Sequence, residues 1–456
     1  MFVTNRYNFK YIILLMFLLV FPSLLFAAPI ETVTNTNDAG AGSLRQAITD
    51  VNTGGEIVFN LPGPGPHTIL ITDTLDIDKS LTITGPGQNF LTINGAGGAF
   101  RGIQVADGLD TSSKVVISGI TLDGGITTFG GILNGEDLTL NNVVITGYGS
   151  AVVNFGPSSN EDETSILRLN NSLIIGNSGI GLFSLSGQSL LSPGGVVTIN
   201  QTTISNNGGP GIVLFGSLMQ SVVGSKVLVN KSTVTGNTQG IVNEGAGAAG
   251  AVGGTLEVSN STISNNSGDG IQTNGGTNGG TGGTTKVSSS TITENAFTGV
   301  INFGAGPLTE VKNSIIADNA GEDCGIADGV FTPLGVNFNT DGTCTGFTTV
   351  SSLQLNLGPL QNNGGPTDTR ALIPPSAAID VLTDCTFISG VPVLEDQRGF
   401  FRPETDCDAG AFEFGARPLL TRNVPTMSQW GILLMAILLG ITALAFCNKK
   451  KIKLVC

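Results

Sequence analysis

The chain contains very little histidine, tryptophan or charge. Its 456 residues include one histidine and one tryptophan, and charged residues make up 12% of them. The single histidine, His67, precedes the repeated part of the chain, so a Ser/His/Asp triad or another His-dependent mechanism is excluded there. Because Pro-Gly-Pro precedes His67, we interpret it as a turn or surface residue. The glycine-rich runs lack a following Lys-Ser or Lys-Thr, which excludes a phosphate-binding P-loop.

Glycine, in contrast, is abundant, and the middle of the chain is repetitive. Glycine accounts for 66 residues, and seven similar segments recur at intervals of 24 to 30 residues. Such a regular period indicates one supersecondary unit that is stacked many times. The segments begin at Leu138, Leu167, Val197, Val227, Leu256, Thr285 and Thr309.

Each segment alternates apolar and polar residues, which predicts a strand with one face inside. A second apolar strand follows, as in Gly211–Gly216, and a Gly-rich loop leads to the next unit. A unit of about 30 residues cannot bury a core alone, but stacked units can, because each strand pairs with its counterpart in the next coil. We therefore predict an all-β fold, a parallel β-helix of about ten coils that includes Leu81–Asn94 and Val115–Leu122.

Stacking should place identical residues in columns. Asparagines end the turn after six of the seven repeated strands, where tolerance of left-handed backbone angles suits a sharp corner, and they should form a hydrogen-bonded ladder. Phenylalanines of the second strands should line the interior. We favour a structural role for both columns, and ligand binding is the alternative. The columns are Asn177, Asn207, Asn237, Asn266, Asn295 and Asn319, and Phe155, Phe183, Phe215 and Phe303.

The outward positions of the repeated strands carry no catalytic constellation. Successive coils have Thr, Arg, Thr, Leu, Glu, Lys and Glu there, whereas glycosidases need two or three carboxylates at a fixed spacing. Asp76, Asp78 and the acidic run 160–163 are interpreted as solvated surface rather than as a calcium site. We assign no catalytic, cofactor-binding or metal-ligating residue and expect no cofactor, with weak calcium binding left open.

Glycine-rich loops recur at one corner of successive coils. Any binding face should lie at this corner, because insertions in repeats collect on one side. Their nearly featureless composition, however, favours flexible spacers. The loops are Ser184–Gly195, Gly216–Gly224, Gly245–Gly254 and Gly275–Gly283.

The N-terminus has the features of a signal peptide. Arg6 and Lys10 precede an apolar run that ends at a small-residue cleavage site, so we predict a signal peptide over residues 1–27 that is cleaved after Ala27. An uncleaved anchor is the alternative. No cysteine follows the cleavage site, which argues against a lipoprotein.

The C-terminus carries a second apolar segment. Residues 430–446 contain no charge, which predicts a transmembrane helix over 430–447 with Trp430 at the outer interface. Four lysines between 449 and 453 follow, so the basic tail should face the cytoplasm and the bulk of the chain the outside. A buried core helix is the alternative.

The part between the two apolar ends is acidic. It holds all 34 acidic residues and 14 of the 20 basic ones, an excess of 20 negative charges. This excess argues against attraction to nucleic acid or anionic lipid.

Four of the six cysteines lie in this acidic part, and three connectivities are open to them. An oxidising compartment permits disulfides, whereas the two cysteines beyond residue 446 should stay reduced. The pairing that we predict is Cys324–Cys344 and Cys385–Cys407.

The region after the signal peptide should close one end of the solenoid, since open ends need a cover. Ser43–Asn52 predicts a short amphipathic helix with a Ser-x-x-Gln capping box, and Glu56–Asn60 predicts the first strand. The stretch Val33–Ile48 resembles the start of many secreted bacterial right-handed β-helix proteins. This resemblance implies a right-handed, pectate-lyase-like solenoid.

A second resemblance lies near the other end, where ordered motifs resemble the choice-of-anchor Q domain of bacterial surface proteins. It implies a module that precedes a C-terminal anchor, and we expect it to cap the solenoid. The motifs are Asn363-Gly-Gly-Pro-Thr, Ala377-Ala-Ile-Asp, Asp396-Gln-Arg-Gly, Arg402-Pro and Cys407-Asp-Ala-Gly-Ala-Phe-Glu.

Two arginines of these motifs have acidic neighbours. Arg398 and Arg402 should form structural ion pairs with Asp396, Asp408 and Glu413. The alternative is that the arginines bind the carboxylate of an acidic sugar.

A third resemblance involves Val424-Pro-Thr-Met-Ser-Gln-Trp-Gly431 with the apolar segment and lysines that follow. It is similar to the IPTL-CTERM sorting signal of Gram-negative envelope proteins, with Val and Met in place of the usual Ile and Leu. The family implies an exported protein retained at the membrane by export and sorting machinery. The matching positions are Val424, Pro425, Thr426, Trp430 and Gly431.

These features predict a membrane-anchored, exported protein of a Gram-negative cell envelope. We favour a structural, adhesive or glycan-binding role without enzymatic activity, with extracellular polysaccharide as the expected partner. The alternative is a lyase or glycoside hydrolase that acts on acidic polysaccharide, although fold analogy is a weak argument for it. The predicted segments are the signal peptide (1–27), N-terminal cap (28–62), β-helix repeats (63–325), C-terminal cap (326–416), linker (417–429), transmembrane helix (430–447) and basic tail (448–456).

Overall fold

Three parallel sheets, A, B and C, receive one strand each from successive coils. The computed structural model describes residues 29–106, 113–125, 127, 130–156, 164–186, 194–219 and 222–418. The predicted signal peptide, sorting motif and transmembrane helix lie outside these residues. Among the segments described, no helix is long and apolar enough to span a bilayer.

The strands of each sheet follow one another in chain order. Sheet A contains Ile30–Val33, Gly55–Phe59, Leu81–Thr84, Lys114–Ser118, Asp137–Asn141, Ile166–Asn170, Val196–Asn200, Lys226–Asn230, Thr255–Ser259, Thr284–Ser288, Leu308–Lys312 and Val330–Leu334. Sheet B contains His67–Leu70, Leu91–Asn94, Thr121–Asp123, Val144–Thr146, Leu173–Ile175, Thr203–Ser205, Thr233–Thr235, Thr262–Ser264, Thr291–Thr293, Ile315–Ala317, Phe338–Asn339 and Thr348–Thr349. Sheet C contains Leu75–Ile77, Ile103–Val105, Ile132–Asn134, Val152–Phe155, Leu182–Leu185, Ile212–Leu214, Ile241–Asn243, Ile271–Asn274, Val300–Phe303 and Cys324–Ile326.

The remaining elements are two short helices and a hairpin. The helices are Leu44–Asp50 and Ser352–Leu355, and the antiparallel hairpin pairs Leu357–Gln361 with Thr369–Leu372. The parallel β-helix predicted from the repeats is thus confirmed.

The interior of the coils follows directly from the alternation in the sequence. In sheet A, Leu167 pairs with Val197 and Leu169 with Ile199, so equivalent residues lie above one another. All four side chains are completely buried. Burial of one such side chain contributes roughly 1.5–3 kcal/mol, and the continuous core repeats this contribution in every coil.

The N-terminal end begins one strand earlier than predicted. Ile30–Val33 pairs with Gly55–Phe59, the strand that the sequence indicated as the first. The predicted helix is present, and its buried residues belong to the main core. Ser43 Oγ accepts a hydrogen bond from Gln46 N, but the Gln46 side chain donates to Asp50, so only half of the capping box forms.

The C-terminal end of the coils lies beyond the predicted boundary at residue 325. Val330–Leu334 extends sheet A and Phe338–Asn339 extends sheet B. The end is covered by the loop that follows, because Cys344 and Phe347 pack on the main core. The ring of Phe347 lies 6.0 Å from that of Phe331.

The expectation that the Q-like region caps this end is therefore wrong for residues 357–416. This segment, here called the C-terminal region, lies along the outer face of sheet B instead. The loop after Phe338–Asn339 already covers the end of the coils, and the threonine-rich outer face of sheet B offers hydrogen-bonding partners on which the C-terminal region can dock.

Both predicted disulfides are present. Cys324 and Cys344, with Cα atoms 4.9 Å apart, tie the covering loop to sheet C. Cys385 and Cys407, with Cα atoms 6.2 Å apart, lie in the C-terminal region.

The asparagine ladder is confirmed. Each Asn side chain donates to the Oδ1 atom of the Asn in the next coil, and the last one donates to Asp323. The Nδ2–Oδ1 distances between neighbours are 3.0 Å for Asn177–Asn207, 2.9 Å for Asn207–Asn237, 3.2 Å for Asn237–Asn266, 2.9 Å for Asn266–Asn295 and 3.0 Å for Asn295–Asn319.

The backbone explanation for these asparagines is wrong. Positive φ angles occur at the residue before the ladder position, such as Asn206 and Asn265, and not at the ladder residues themselves. The amide of a ladder residue is needed inside because it also bonds to backbone carbonyls of neighbouring turns, as Asn237 does to Ile204.

A second ladder at the turn from sheet A to sheet B has no counterpart in the predictions. A buried hydroxyl in each coil accepts a hydrogen bond from the backbone N–H of the equivalent residue one coil before. Its members are Ser172, Thr202, Ser232, Ser261, Ser290 and Ser314.

The prediction for the phenylalanines is wrong. Phe155, Phe183 and Phe215 are partly exposed and Phe303 is 59% exposed, so all four point outward from sheet C. Phe183 also belongs to a different column, because it pairs with Val213. A shift of one residue moves a strand side chain to the opposite face, so small parity errors reverse such a prediction.

Polar residues occupy part of the interior of sheet C instead. Asn154, Asn243 and Asn302 are completely buried. Asn154 Nδ2 donates to Ser165 Oγ at 3.2 Å, and Asn302 Oδ1 accepts from Thr309 Oγ1 at 2.6 Å. These bonds connect sheet C with the next strand of sheet A.

Where the structure describes them, the glycine-rich corner loops between residues 216 and 283 bond to one another rather than acting as flexible spacers, whereas most of the loop Ser184–Gly195 lies outside the described residues. Ser217 N donates to Val252 O at 3.1 Å, and Ala246 N donates to Thr281 O at 2.9 Å. Added Cβ atoms at Gly245 and Gly253 would lie 2.3 Å from backbone atoms of the next loop. Glycine is therefore needed at these positions for close stacking.

Candidate binding groove

The outer face of sheet B differs between its two halves. In the earlier coils the first outward positions, Thr121, Val144 and Leu173, are partly exposed. In the later coils the threonines at the same positions are completely or almost completely buried by the C-terminal region. These are Thr233, Thr262 and Thr291.

Gln397 is the centre of this docking contact. It is completely buried, and its Nε2 donates to Thr233 Oγ1 at 2.9 Å while its Oε1 accepts from Thr262 Oγ1 at 2.6 Å. Ala411 N donates to Thr291 Oγ1 at 3.1 Å. The Gln397 side chain thus bonds to two successive coils, and the backbone N–H of Ala411 bonds to a third.

Behind Gln397 lies a buried charged cluster. Arg398 Nη2 lies 2.6 Å from Asp396 Oδ2, and Arg402 Nε lies 3.3 Å from Glu413 Oε2. Arg402 also donates to the carbonyls of Asp408 and Gly410, at 2.8 and 3.0 Å.

These contacts confirm structural ion pairs for Arg398 and Arg402. The Arg398 guanidinium lies over the rings of Phe400 and Phe412, and Arg402 is completely buried. Since both guanidinium groups are enclosed by protein, the acidic-sugar alternative is wrong for this cluster.

Burial also changes the proton affinity of the cluster. The pKa of Glu413 is raised from 4.5 to about 7, because burial, together with the nearby carboxylates of Asp408 and Asp396, outweighs the attraction of Arg402. Burial raises the pKa of Asp408 as well.

On sheet A, the outward column identified from the repeats is confirmed. Its members pair in register from coil to coil and are all partly exposed. Three ion pairs involve its members: Arg168 with Asp137, Glu257 with Lys226 at 3.0 Å and Lys286 with Glu310 at 3.6 Å. The column is Thr139, Arg168, Thr198, Leu228, Glu257, Lys286 and Glu310.

A loop of the C-terminal region, residues 384–395, stands beside this column and is here called the wall. It turns back on itself, since Phe387 N donates to Val391 O at 2.9 Å and Val393 N to Cys385 O at 2.8 Å. The Cys385–Cys407 disulfide lies at its base.

Ion pairs and hydrogen bonds fix the wall to the coils. Lys312 Nζ lies 2.8 Å from Asp384 Oδ2, and Lys231 forms an ion pair with Glu395. Between them, Ile388 N donates to Ser288 Oγ at 3.3 Å.

The wall and sheet A enclose a groove made of two adjoining cavities of about 530 and 180 Å³. Four successive strands of sheet A form the floor, so the groove extends over roughly 14 Å at ordinary strand spacing. Thr198, Leu228, Glu257 and Lys286 project from the floor, and Phe387 and Leu394 from the wall.

One lining residue has an unused hydrogen-bonding atom. Asn260 is 2% exposed, and its Oδ1 finds no donor among the residues that the structure describes. Its backbone has a φ of 44°, a left-handed angle that Asn tolerates better than most residues. Asn260 thus brings its carboxamide to the groove lining, while its Oδ1 atom is closed off from solvent.

The other acidic residues singled out from the sequence do not meet in one place. Asp76 and Asp78 are exposed, and the run 160–163 lies outside the described residues. Within the part of the chain that the structure covers, no three His, Cys, Asp or Glu residues are grouped so as to hold a metal ion. His67 starts a strand of sheet B and is partly buried, rather than lying in a turn.

The wall was missed at the sequence level. Its signal is an apolar run interrupted by Ser-Gly, from Phe387 to Leu394, between two cysteines. Such a run indicates a turn with apolar flanks, but nothing in it indicates that it stands beside sheet A.

Comparisons with known proteins indicate a general likeness of fold. The sequence matches no protein-family model, and no curated protein matches it either. Among solved structures, the A-module of the mannuronan C-5 epimerase AlgE4 of Azotobacter vinelandii is 14% identical, with a TM-score of 0.40 over 65% of this chain and 91% of that one. A pectate lyase is 16% identical, with a TM-score of 0.39 over 84% and 97%.

A third structure, the catalytic unit of an α-1,3-glucanase from Streptomyces thermodiastaticus, is 16% identical, with a TM-score of 0.40 over 71% of this chain and 70% of that one. At such identities and scores, these structures assign no activity to this chain.

Proposed function

We propose that this protein binds polysaccharide in the groove between sheet A and the wall, without turning it over. The observation that carries the proposal is an elongated cavity of ligand-binding size, lined by polar floor residues and an apolar wall. A polymer can lie along successive coils, because their strands follow one another at a constant spacing under the groove.

The wall supplies the apolar contact. Leu394 is 53% exposed, and Phe387 is partly buried between the wall and the floor. The C–H faces of sugar rings pack on such side chains, while their hydroxyls bond to the polar floor.

Retention of the full-length protein on immobilised polysaccharides tests the proposal. Phe387→Ala should weaken retention several-fold, whereas Phe303→Ala, which removes an exposed ring from sheet C, should leave it unchanged. Equal retention of both variants and the unaltered protein would place binding elsewhere.

Hydrolysis is the second candidate. Glu257 and Glu395 line the same cavity, and glycosidases use a pair of carboxylates. Each, however, already forms an ion pair with a lysine, Lys226 or Lys231. Incubation with neutral and uronic-acid polysaccharides, with and without calcium, decides between the two: new reducing or unsaturated ends that disappear in Glu257→Gln would support an enzyme.

We further propose that the protein is exported and anchored in a Gram-negative cell envelope. The support is the pattern of the two chain ends and their resemblance to sorting sequences. Cell fractionation with protease treatment of intact cells tests this: a cytoplasmic chain, resistant to protease until lysis and free of membranes, would exclude it.

A further inference from the structure

The charges of the groove are balanced. Its lining contains two lysines, Lys231 and Lys286, and two glutamates, Glu257 and Glu395. Each of the four is engaged in an ion pair with an oppositely charged neighbour. No cation of the lining is thus left over to neutralise a row of ligand carboxylates.

Binding of an acidic polymer needs such an excess of cations. Carboxylate-reading sites use arginine or lysine in charge-assisted hydrogen bonds, often in bidentate geometry. The arginine nearest along the outward column, Arg168, lies one coil before the floor and is paired with Asp137. The excess of 20 negative charges on the predicted exported part would also repel a polyanion.

The uncharged lining residues fit hydroxyl groups instead. The Asn260 carboxamide lines the groove and fits a sugar hydroxyl, which both donates and accepts hydrogen bonds. Asn230 lies beside it, where its amide Nδ2 donates to Asn200 Oδ1 and its Oδ1 accepts from Ser259 Oγ. Beside these groups, the apolar wall favours an uncharged ligand, because the free energy of its desolvation is smaller than that of an ionised ligand.

We infer that the groove takes an uncharged polysaccharide and rejects polyuronates, with the Asn260 carboxamide bonding to a sugar hydroxyl. This inference rests on the proposed polysaccharide binding at the same site. It predicts binding that is insensitive to salt, because no ion pair with the ligand is screened.

The test measures retention of the full-length protein on neutral α- and β-glucans and mannan, and on alginate and polygalacturonate, at low and high sodium chloride. Retention on at least one neutral polymer, unchanged by salt, and none on the two polyuronates is the expected result. Salt-sensitive retention on a polyuronate would overturn the inference but keep polysaccharide binding. No retention on any of the polymers would count against both.

A matched pair of variants tests the site itself. Asn260→Gly keeps the left-handed backbone and removes the carboxamide from the lining, so affinity for the neutral polymer should fall about fivefold to tenfold, the loss of one ordinary hydrogen bond. Asn171→Gly changes the equivalent residue three coils earlier, where φ is 48°, and should have no effect. If the two variants bind equally well, the Asn260 carboxamide does not bond to the ligand and the inference fails.

Discussion

The coils and the C-terminal region are stabilised by different kinds of contact. In the coils, the same neutral contacts recur from turn to turn: apolar side chains lie inside throughout, and from Ser172 onward a hydroxyl ladder runs along one corner and an amide ladder along another. In the C-terminal region, each contact occurs once: buried ion pairs, a disulfide and a small second core that the region shares with Ile315, Ala317 and Phe338 of sheet B.

This difference predicts how far the structural effect of losing one contact extends. A repeated contact can be lost in one coil while its neighbours still hold, because each coil pairs only with adjacent coils. A unique buried charge has no substitute, so its loss should release the whole C-terminal region and, with it, the wall of the groove.

The largest expected effect is that of Arg402→Met. It leaves Glu413 buried without its cation, which should destabilise the C-terminal region by about 3–5 kcal/mol. Urea unfolding should then show two transitions, the first from the C-terminal region alone. Limited proteolysis should cut first within 357–416.

Arg417→Met, at an exposed position, is the control and should unfold like the unaltered protein. A single transition in Arg402→Met, shifted for the whole chain, would contradict independent loss of the C-terminal region.

The second effect is a pH dependence. Because the pKa of Glu413 is about 7 in the folded protein and 4.5 ordinarily, the folded state binds its proton more tightly between these values. Stability should therefore rise as the pH falls from about 7 to 4.5, by at most about 3 kcal/mol, and this gain is absent above pH 7.

Glu413→Gln imitates the protonated form and should remove most of this dependence. Thermal melts of both proteins between pH 5 and 8 measure it. Parallel pH profiles of the two proteins would show that Glu413 does not titrate in this range.

The smallest effect concerns the coils. Asn237→Ala removes the acceptor for Asn207 in the buried ladder and should cost about 1–3 kcal/mol without a separate transition. Asn170→Ala, in the partly exposed ladder on sheet A, should cost less than about 0.5 kcal/mol. Similar losses in the two variants would mean that burial does not decide the value of a ladder bond.

The coils were predictable because their determinants are local and repeated. The alternation from Leu167 to Leu169 gives a strand, and recurrence gives the stack. The amide ladder followed from the same reasoning. The positions with left-handed backbone angles and the outward direction of the phenylalanines were not predicted correctly. A shift of one position changes which residue occupies the turn and which face of a strand a side chain lies on.

The groove was not predictable in this way. Its floor was visible as the outward column of sheet A, but its wall lies far along the chain. Lys231 and Glu395 are 164 residues apart, and this contact occurs once. No period indicates such a pair, so only the folded chain brings Phe387 and Asn260 to the same cavity.

Two ion pairs, here called clamps, hold the C-terminal region to the coils: Lys231 with Glu395 and Lys312 with Asp384. They limit how this chain can change in length. Lys231 and Lys312 lie three coils apart, and both must meet their acids at once. Duplication or deletion of a coil between them would shift one clamp by about 4.8 Å. Lineages of this protein should therefore gain or lose coils before Thr203, where sheet B is uncovered, and keep a constant number after it.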